Sequence, residues 1–427
     1  MTLPSPHPQR VALNDEVHAR PPEPLSAPTR LSYMAMLCDA PAREVSFHAI
    51  VALAKTCGVT PPEPGENHFS ADFFAFRLKW ERHTEFVRYT FIRDGIGREP
   101  FIDTALEAVP NDWVAALPGK LMMAAHLALV PSAADDEAVT LGAQTFPRDV
   151  LVGSLMTDDT GAAFTDFRIY PDGFSRILLQ DRGMTTWQAG RVAQRLLEID
   201  TYRMMALLAL PVAQSLAPVI ARCEQELSRI TAAMVTAGET EEPILLDRLT
   251  RLAAEIDSRQ ADNLYRFSAA AAYDEIVQRR IAELREQRIT GLQTLQEFIE
   301  RRMAPAMNTC RSVAARQEEL SRRVARATQL LATRVGITRE VQNQSLLATM
   351  NRRVRQQLRL QSTVEGLSVA AVTYYVVGLI GFLTDGLAAA GALPLRAYIV
   401  KGLSVPVVAA ILLLALRRVR RNLHRDD

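Results

Sequence analysis

The longest run of apolar residues lies near the C-terminal end of the chain. Residues 366–384, GLSVAAVTYYVVGLIGFLT, include no charged side chain. As a helix they would measure about 28 Å at roughly 1.5 Å per residue, close to the ~30 Å hydrocarbon core of a bilayer. Residues 397–416 form a second apolar run that only Lys401 interrupts, and a lysine near a helix end can extend its amine to the headgroups. We predict two transmembrane helices and a short outer loop at 385–396; the alternative for the second run is a re-entrant or interfacial segment.

Arginine residues cluster on both sides of the two predicted spans. They precede the first span and follow the second at Arg352, Arg353, Arg355, Arg359, Arg417, Arg418, Arg420, Arg421 and Arg425. Between the two runs of Arg, only Arg396 and Lys401 carry positive charge. Because cytoplasmic flanks are enriched in Lys and Arg, both termini are predicted to be cytoplasmic, with a basic tail at 417–427. The same clusters predict anionic lipid headgroups as partners.

Ahead of the spans, the pattern predicts an arm and a mixed domain. Residues 1–30 are rich in proline, which fixes φ and removes a backbone donor, so we predict an extended arm. The predicted strands beyond it are 31–37, a hairpin over 72–93 that turns at 82–84, 151–157, 162–170 and 174–180, with 121–130 a strand or a buried helix. The predicted helices are 43–57, 103–117 and 134–143. Residues 31–181 are therefore predicted to form a cytosolic α+β domain with a largely antiparallel sheet.

After residue 181 the composition shifts to Ala, Leu, Arg, Glu and Gln, and residues 182–361 predict a long helical region. Thr185 and Gln188 form a capping box that opens its first helix. Apolar residues recur at spacings of three and four over 245–256, 320–331 and 347–358, which is typical of a coiled-coil-like seam. Breaks are predicted at Pro211, Pro218, 238–243, 303–305 and 335–337. The breaks would give antiparallel helical hairpins, and the last helix would continue into the first span.

Charge argues against a nucleic-acid partner. The chain has 427 residues, with 49 basic and 48 acidic side chains and a net charge of +1, so its surface as a whole is not tuned for phosphate backbones. Residues 301–360 are locally basic, with 13 Arg against three Glu, but they contain no Phe, Tyr or Trp to stack on bases. We predict no nucleic-acid partner.

The sequence offers no familiar catalytic or metal-binding motif. Four cysteines, Cys38, Cys57, Cys223 and Cys310, lie far apart without a CxxC pair, which predicts free thiols in a reducing compartment. There is no P-loop motif, no GxGxxG after a predicted strand, no GxSxG and no HExxH. We therefore predict no enzymatic activity, no catalytic residue, no resident metal and no cofactor.

Two polar clusters, one in the arm and one at the predicted hairpin, are candidates for a ligand site. They comprise Glu16, His18, Arg20, Arg82, His83 and Glu85. Side chains alternate in an extended strand, so each cluster can present its charged groups on one side. If the arm docks on the hairpin, the two clusters can form salt bridges without a ligand, hold a small acidic ligand or peptide through Arg20 and Arg82, or bind a metal. Arg182 precedes a predicted helix N-terminus, where it either helps to hold an anion or belongs to a structural turn.

Within the first span, Tyr374, Gly378 and Gly381 fall at spacings of four and three on one helical face. In an oligomer this face could line a central path, with Asp385 as a ring of carboxylates at its mouth. The alternative is that the glycines serve only helix packing and that Asp385 simply ends the span at the headgroups.

Several long motifs resemble one bacterial family. EVHARPPEPL, WERHTEFVRYTF, DRGMTTWQAGRVAQRLLEIDTYRMMALLALP and EGLSVAAVTYYVVGLIGF resemble the membrane-anchored proteins of domain-of-unknown-function family 3422, over nearly the whole chain. The resemblance implies a bacterial source and attachment to the inner membrane, and it supplies no activity or catalytic residue. The architecture alone is similar to that of the CorA magnesium channels, whose Gly-Met-Asn motif is missing from 381–386.

Two hypotheses about function follow. The first is an inner-membrane-anchored, homo-oligomeric scaffold or ligand-sensing protein without enzymatic activity. The alternative is a CorA-like cation channel that lacks the Gly-Met-Asn motif.

Overall fold

The computed structural model describes residues 4–11, 13–14, 21–97, 99–132, 135–147, 149–389 and 397–423. Its strands are β1 (Thr29–Leu37), β2 (His68–Asp72), β3 (Arg77–Arg82), β4 (Phe86–Asp94), β5 (Lys120–Pro131), β6 (Val152–Met156), β7 (Gly161–Thr165), β8 (Ser175–Asp181) and β9 (Gln287–Arg288). Its helices are α1 (Ala40–Thr56), α2 (Asn111–Ala115), α3 (Asp135–Thr145), α4 (Thr186–Leu207), α5 (Ala209–Thr236), α6 (Glu242–Leu284), α7 (Leu295–Ala389) and α8 (Ala397–Leu423), with a 3-10 turn at Ala105–Ala108. The predicted order, an α+β region followed by long helices, is confirmed.

All of these strands join one sheet in the order β2-β3-β4-β1-β5-β8-β7-β6-β9. Its neighbours are antiparallel except for the parallel pair β5 and β8, so the prediction of a largely antiparallel sheet is confirmed. The predicted hairpin is the β3–β4 pair, and residues 121–130 form a strand rather than a helix. β7 ends at Thr165 rather than at 170, because Phe167 takes a positive φ and the Asp166 side chain accepts a hydrogen bond from the Arg168 amide.

Strands β3 and β4 separate an apolar face of the sheet from a charged one. Trp80 and Tyr89 lie on the apolar face under α1, where Trp80 Nε1 and Tyr89 Oη lie 2.7 and 2.8 Å from Ser46 Oγ. They pack there in a core of buried aromatic and aliphatic side chains, each of which contributes roughly 1.5–3 kcal/mol by leaving water. Because side chains alternate along a strand, Lys79, Glu81 and Arg88 project to the opposite face and give it its charge.

A network of buried charges joins that second face to two helices. Arg88 of β4 donates hydrogen bonds from Nη2 to Glu81 Oε1 at 2.8 Å and from Nη1 to Glu198 Oε1 of α4 at 3.0 Å. Arg280 of α6 donates to Glu198 Oε2 at 2.6 Å, and Lys79 Nζ lies 3.4 Å from Glu81. Burial is the largest single influence and alone would raise the pKa of both glutamates. The charge and hydrogen bonds of Arg88, together with Lys79 beside Glu81 and Arg280 beside Glu198, outweigh it, so the pKa of each is lowered. Both carboxylates are therefore ionised at neutral pH, and they hold α4 and α6 against the sheet.

Residues 21–25 of the N-terminal arm lie beside this network. Pro21 accepts a hydrogen bond from Lys79 Nζ at 2.6 Å, and Glu23 forms an ion pair with Arg77 at 3.1 Å. Leu25 is buried, and its amide donates to the carbonyl of the first residue of α4 at 3.0 Å. The arm thus closes a cavity of about 30 Å³ over the charged face of the sheet.

The capping box that opens α4 is confirmed, but three of the predicted breaks are wrong. Pro218 lies inside α5, Pro305 lies inside α7, and α7 continues without interruption through Gly336. A proline costs a helix roughly 3 kcal/mol, which the apolar contacts of a long helix can outweigh. The chain instead turns at 285–294, where Arg285 and Gly291 take positive φ and β9 adds to the sheet edge.

The chain divides into two compact units. One comprises residues 1–236 and 245–328, and the other comprises 237–244 and 329–427. The first unit therefore contains α4, α5 and most of α6 together with the sheet. The apolar positions predicted over 245–256 are buried in it. The domain boundary at 181 and the coiled-coil character of 182–361 stay predictions.

Among the described residues, three helical segments are long and apolar enough to cross a membrane by length and composition. They are Thr186–Thr236, Leu295–Leu387 and Tyr398–Ala415. Leu295–Leu387 includes the predicted first span, Tyr398–Ala415 lies within the predicted second span, and none of the most apolar 18-residue window of either is buried. The first was not predicted, and a third of its window is buried inside the protein. Its apolar residues at spacings of four and three in α5 face other parts of the first unit.

A substitution at Gly190 tests whether the arm packs against α4. A Cβ atom at this position of α4 would lie 1.8 Å from the carbonyl oxygen of Glu23. We expect Gly190→Ala to displace the arm, so that hydrogen exchange of the Leu25 amide, which donates to Thr186 of α4, accelerates at least tenfold as measured by mass spectrometry. The control is Gly238→Ala, where nothing lies within 4 Å of the added atom. If the arm did not pack there, Gly190→Ala would leave the exchange unchanged and would stabilise the helix by up to ~1 kcal/mol.

Candidate functional site

The arm half of the predicted ligand site, Glu16, His18 and Arg20, lies outside the described residues. The described chain resumes at Pro21, which contacts Lys79 on β3. The pairing of the arm cluster with the hairpin cluster therefore stays a prediction.

The hairpin half borders an open cavity of about 660 Å³. Arg82 and His83 reach it from the β3–β4 turn, and Arg43 and Glu44 reach it from the first turn of α1. The remaining lining residues come from the hairpin, α1, α4, α6 and the loop before β2: Ala40, Asn67, Thr84, Phe86, Tyr202, Tyr273 and Ile276. Five separate segments of the first unit thus converge on one polar cavity.

Arg82 is oriented by its neighbours on the cavity wall. Its Nε donates to Asn67 Oδ1 at 3.0 Å, and its Nη1 forms an ion pair with Glu44 at 3.0 Å. The His83 ring stacks on Phe86 with 4.4 Å between ring centroids. The backbone of the hairpin closes through the His83 amide, which donates to the Phe86 carbonyl at 2.9 Å. The turn therefore holds both predicted residues at the cavity.

Glu85 belongs to a different set of contacts. It is buried and pairs with Arg266 of α6 at 2.9 Å, while Tyr265 Oη lies 3.3 Å away. Tyr273 also hydrogen-bonds to it, and burial together with this carboxylate raises the pKa of Tyr273. Glu85 therefore ties the hairpin to α6 and does not share the cavity wall with His83.

Arg182 lies in the turn from β8 to α4. Its backbone amide donates to the Thr160 carbonyl at 2.9 Å, and its Nε donates to the Asp159 carbonyl at 3.2 Å. The Asp181 side chain accepts hydrogen bonds from the amides of the next two residues, Gly183 and Met184, at 2.9 and 2.7 Å. These contacts are those of a structural turn, the alternative that the sequence left open.

In the predicted spans, the structure pairs Asp385 with Lys401 of α8. The Lys401 Nζ lies 2.6 and 2.5 Å from the two carboxylate oxygens of Asp385. Gly381 faces the same lysine, since a Cβ there would lie 3.7 Å from Lys401 Cε, whereas Gly378 has open space and Tyr374 is exposed. The ion pair joins α7 to α8 and neutralises the carboxylate of Asp385.

A buried Ser-His-Asp arrangement was missed by the sequence analysis. His126 Nδ1 lies 2.9 Å from Ser32 Oγ, and its Nε2 lies 4.0 Å from Asp172 Oδ2. The serine is fully buried and also accepts a hydrogen bond from the Leu106 amide at 3.1 Å, so no substrate can reach its hydroxyl. The arrangement fastens β1 to β5 and the 3-10 turn, and it is not a nucleophilic site. No local sequence motif indicates this arrangement, because the three residues are far apart along the chain.

Within the residues that the structure describes, no three His, Cys, Asp or Glu side chains gather as a potential metal site. The four cysteines are free thiols. Burial raises the pKa of Cys38, Cys223 and Cys310, which lowers their reactivity as nucleophiles.

The fold and the cavity define an α+β protein with long helices and apolar C-terminal helices, without a recognisable reaction centre among the described residues. The model of the family described as Protein of unknown function (DUF3422) matches residues 5–423. The chain belongs to this family, as its motifs indicated. No curated protein and no solved structure matches the chain, and the CorA resemblance has no support.

His126 gives the folded state a dependence on pH. Burial lowers its pKa from 6.5 to about 4, although Asp172 opposes the shift. Between these values the unfolded chain binds a proton that the folded chain does not, so the free energy of unfolding falls as the pH falls below 6.5. From pH 6.5 to 5 this group should remove about 2 kcal/mol. Unfolding of the full chain in detergent should show His126→Asn losing less by that amount, and equal losses in both proteins would contradict the assignment.

Proposed function

We propose that this protein is an inner-membrane-anchored, homo-oligomeric ligand-sensing scaffold without enzymatic activity. Two C-terminal helices hold it in a bacterial inner membrane, both termini are cytoplasmic, and its Arg clusters face anionic headgroups. Nucleic acid is not among its partners. The observation that carries the proposal is the pair of apolar helical segments in α7 and α8, whose most apolar windows are not buried at all.

The anchor is supported by the energy of exposing these helices to water. Leu379 and Phe382 on α7 and Leu414 on α8 are each more than 60% exposed. Apolar surface costs about 25 cal/mol per Å² in water, and contiguous exposed patches of this extent indicate an interaction surface. Lipid tails would cover both helices on every side, and helices satisfy their own backbone hydrogen bonds there.

Self-association is supported by an apolar stripe on α7. Leu347, Met350, Val354 and Leu358 follow one another at spacings of three and four, and each is at least half exposed. Such a stripe is the seam by which a helix packs on a second helix. A second copy of the chain supplies the same seam, and a closed symmetric assembly would cover both.

Ligand sensing is supported by the cavity that Arg82 and His83 border. Small-molecule sites commonly measure 300–1,000 Å³ and bring together side chains from several segments. The channel alternative gains no such support, because Lys401 neutralises Asp385, on which the cation ring depended.

Reporter fusions test the anchor. Fusions after Leu360, within 388–392 and at Asp427 should report cytoplasm, periplasm and cytoplasm, because the Arg clusters flank a sparse loop. The chain should also remain in the membrane fraction after a high-salt wash. A cytoplasmic signal from the middle fusion would reject the two-span topology.

The mass of the full chain in mild detergent tests the oligomer. We expect a multiple of 47.3 kDa for the wild type. Leu347→Glu combined with Val354→Glu should weaken association at least tenfold, because two charges would enter the seam. Val235→Glu, on an exposed residue of α5, is the matched control. A monomeric wild type, or a double variant that associates normally, would contradict the proposed seam.

A further inference from the structure

We propose that the cavity beside the β3–β4 turn binds a small organic anion, through a phosphate or carboxylate group held between Arg43 and Arg82. This inference rests on the proposed ligand-sensing function and names the chemical class of the ligand. The juxtaposition that carries it is two guanidinium groups from different elements on one open cavity, opposite an aromatic wall.

Arg43 supplies most of the positive charge in the cavity that no carboxylate neutralises. Its Nη1 donates to the Cys38 carbonyl at 3.2 Å, and no carboxylate of the described chain lies within 4 Å of it. A guanidinium carries five N–H donors in a fixed plane, so four remain for a ligand. A half-buried guanidinium without a counter-ion attracts an anion more strongly than a solvated one, because water screens it less.

Arg82 is held in a fixed orientation on the lining of the same cavity. Asn67 and Glu44 fix its Nε and Nη1, which leaves the Nη2 donors unspent and the plane of the group oriented. Only Glu44 offsets the two arginines on the lining, and that carboxylate is mostly exposed. Planar pairs of N–H donors match the geometry of carboxylate and phosphate, and a cation would meet net repulsion here.

The aromatic wall indicates the rest of the ligand. The Tyr202 and Tyr273 rings stack at 5.5 Å between centroids, and Phe86 packs edge-on against Tyr202 at 6.0 Å. Tyr202 lines the cavity although it is more than nine-tenths buried. Its phenolic hydroxyl can donate a hydrogen bond to an acceptor on a ligand. We infer an anionic head at the arginines and a flat or apolar body with an acceptor at Tyr202.

The test uses the full chain in neutral detergent, with inorganic phosphate and citrate as probes and NaCl at matched ionic strength. Both probes should raise the unfolding temperature and give a saturable calorimetric titration, because a ligand that binds only the folded state stabilises it. Arg43→Gln should weaken citrate binding at least tenfold, and Arg43→Lys should restore part of that binding. Tyr202→Phe should still bind phosphate and citrate, because both probes represent only the anionic group of the ligand. Arg251→Gln is the matched control, since that arginine is exposed and pairs only with Asp247 on its own helix.

Each outcome of these titrations supports or overturns the proposed anion site. Titrations that Arg43→Gln leaves unchanged would overturn the site, and absence of saturable binding of both probes would overturn the anionic class. If neutral or cationic compounds bound in the cavity instead, the anionic class of the ligand would be rejected while the ligand-sensing function stood. Reporter fusions that contradict the two-span topology would reject the membrane anchor alone. Repeating the citrate titration in nanodiscs of zwitterionic and of anionic lipid separates a soluble anion from a headgroup, because only a headgroup ligand would compete with citrate in the anionic discs.

Discussion

Burying Arg88 between two glutamates is the constraint on which the first unit depends. Removing one partner of such a buried group typically costs 3–5 kcal/mol, because the other charge is left in a poorly polarisable interior. Arg88 and Glu81 come from one hairpin, whereas Glu198 comes from α4 and is shared with Arg280 of α6. Apolar contacts would let a helix slide across a sheet by one turn, but a hydrogen-bonded charge fits one register. The same register brings Tyr202, one turn after Glu198, to the cavity.

Local patterns predicted the elements of the fold, and contacts between distant residues decided what the patterns left open. The hairpin, the capping box of α4 and the apolar helical segments are encoded within short stretches, so they could be predicted. Pro305 was assigned to a break because a proline removes a donor, yet α7 continues through it. The turn at 285–294 was missed because its weak signal, Gly291, competes with strongly helical flanks. The strand that follows Arg285 forms only because the edge of β6 is there to receive it.

The sequence allowed only the hairpin part of the candidate site to be predicted. Strand alternation singled out the hairpin tip, where Arg82 and His83 border a cavity. It could not separate them from Glu85, because the partners of Glu85 are some 180 residues away on α6. Arg43 was missed for a related reason: nothing in the first turn of α1 distinguishes it until the hairpin folds opposite. A site assembled from five separate segments has no sequence spacing of its own.

The contact of the arm with α4 also constrains how the chain can fold during its synthesis on the ribosome. Leu25 rests on the start of α4, and the Glu23 carbonyl needs the bare Cα of Gly190. The ribosome adds roughly 165 residues between the arm and Gly190, which takes about ten to thirty seconds at 5–20 residues per second. Throughout that interval the arm lacks its contact with α4, although Arg77 and Lys79 of β3, which pair with Glu23 and Pro21, emerge earlier. The earliest of these segments to emerge is thus among the last to settle, and it is available to chaperones in the meantime.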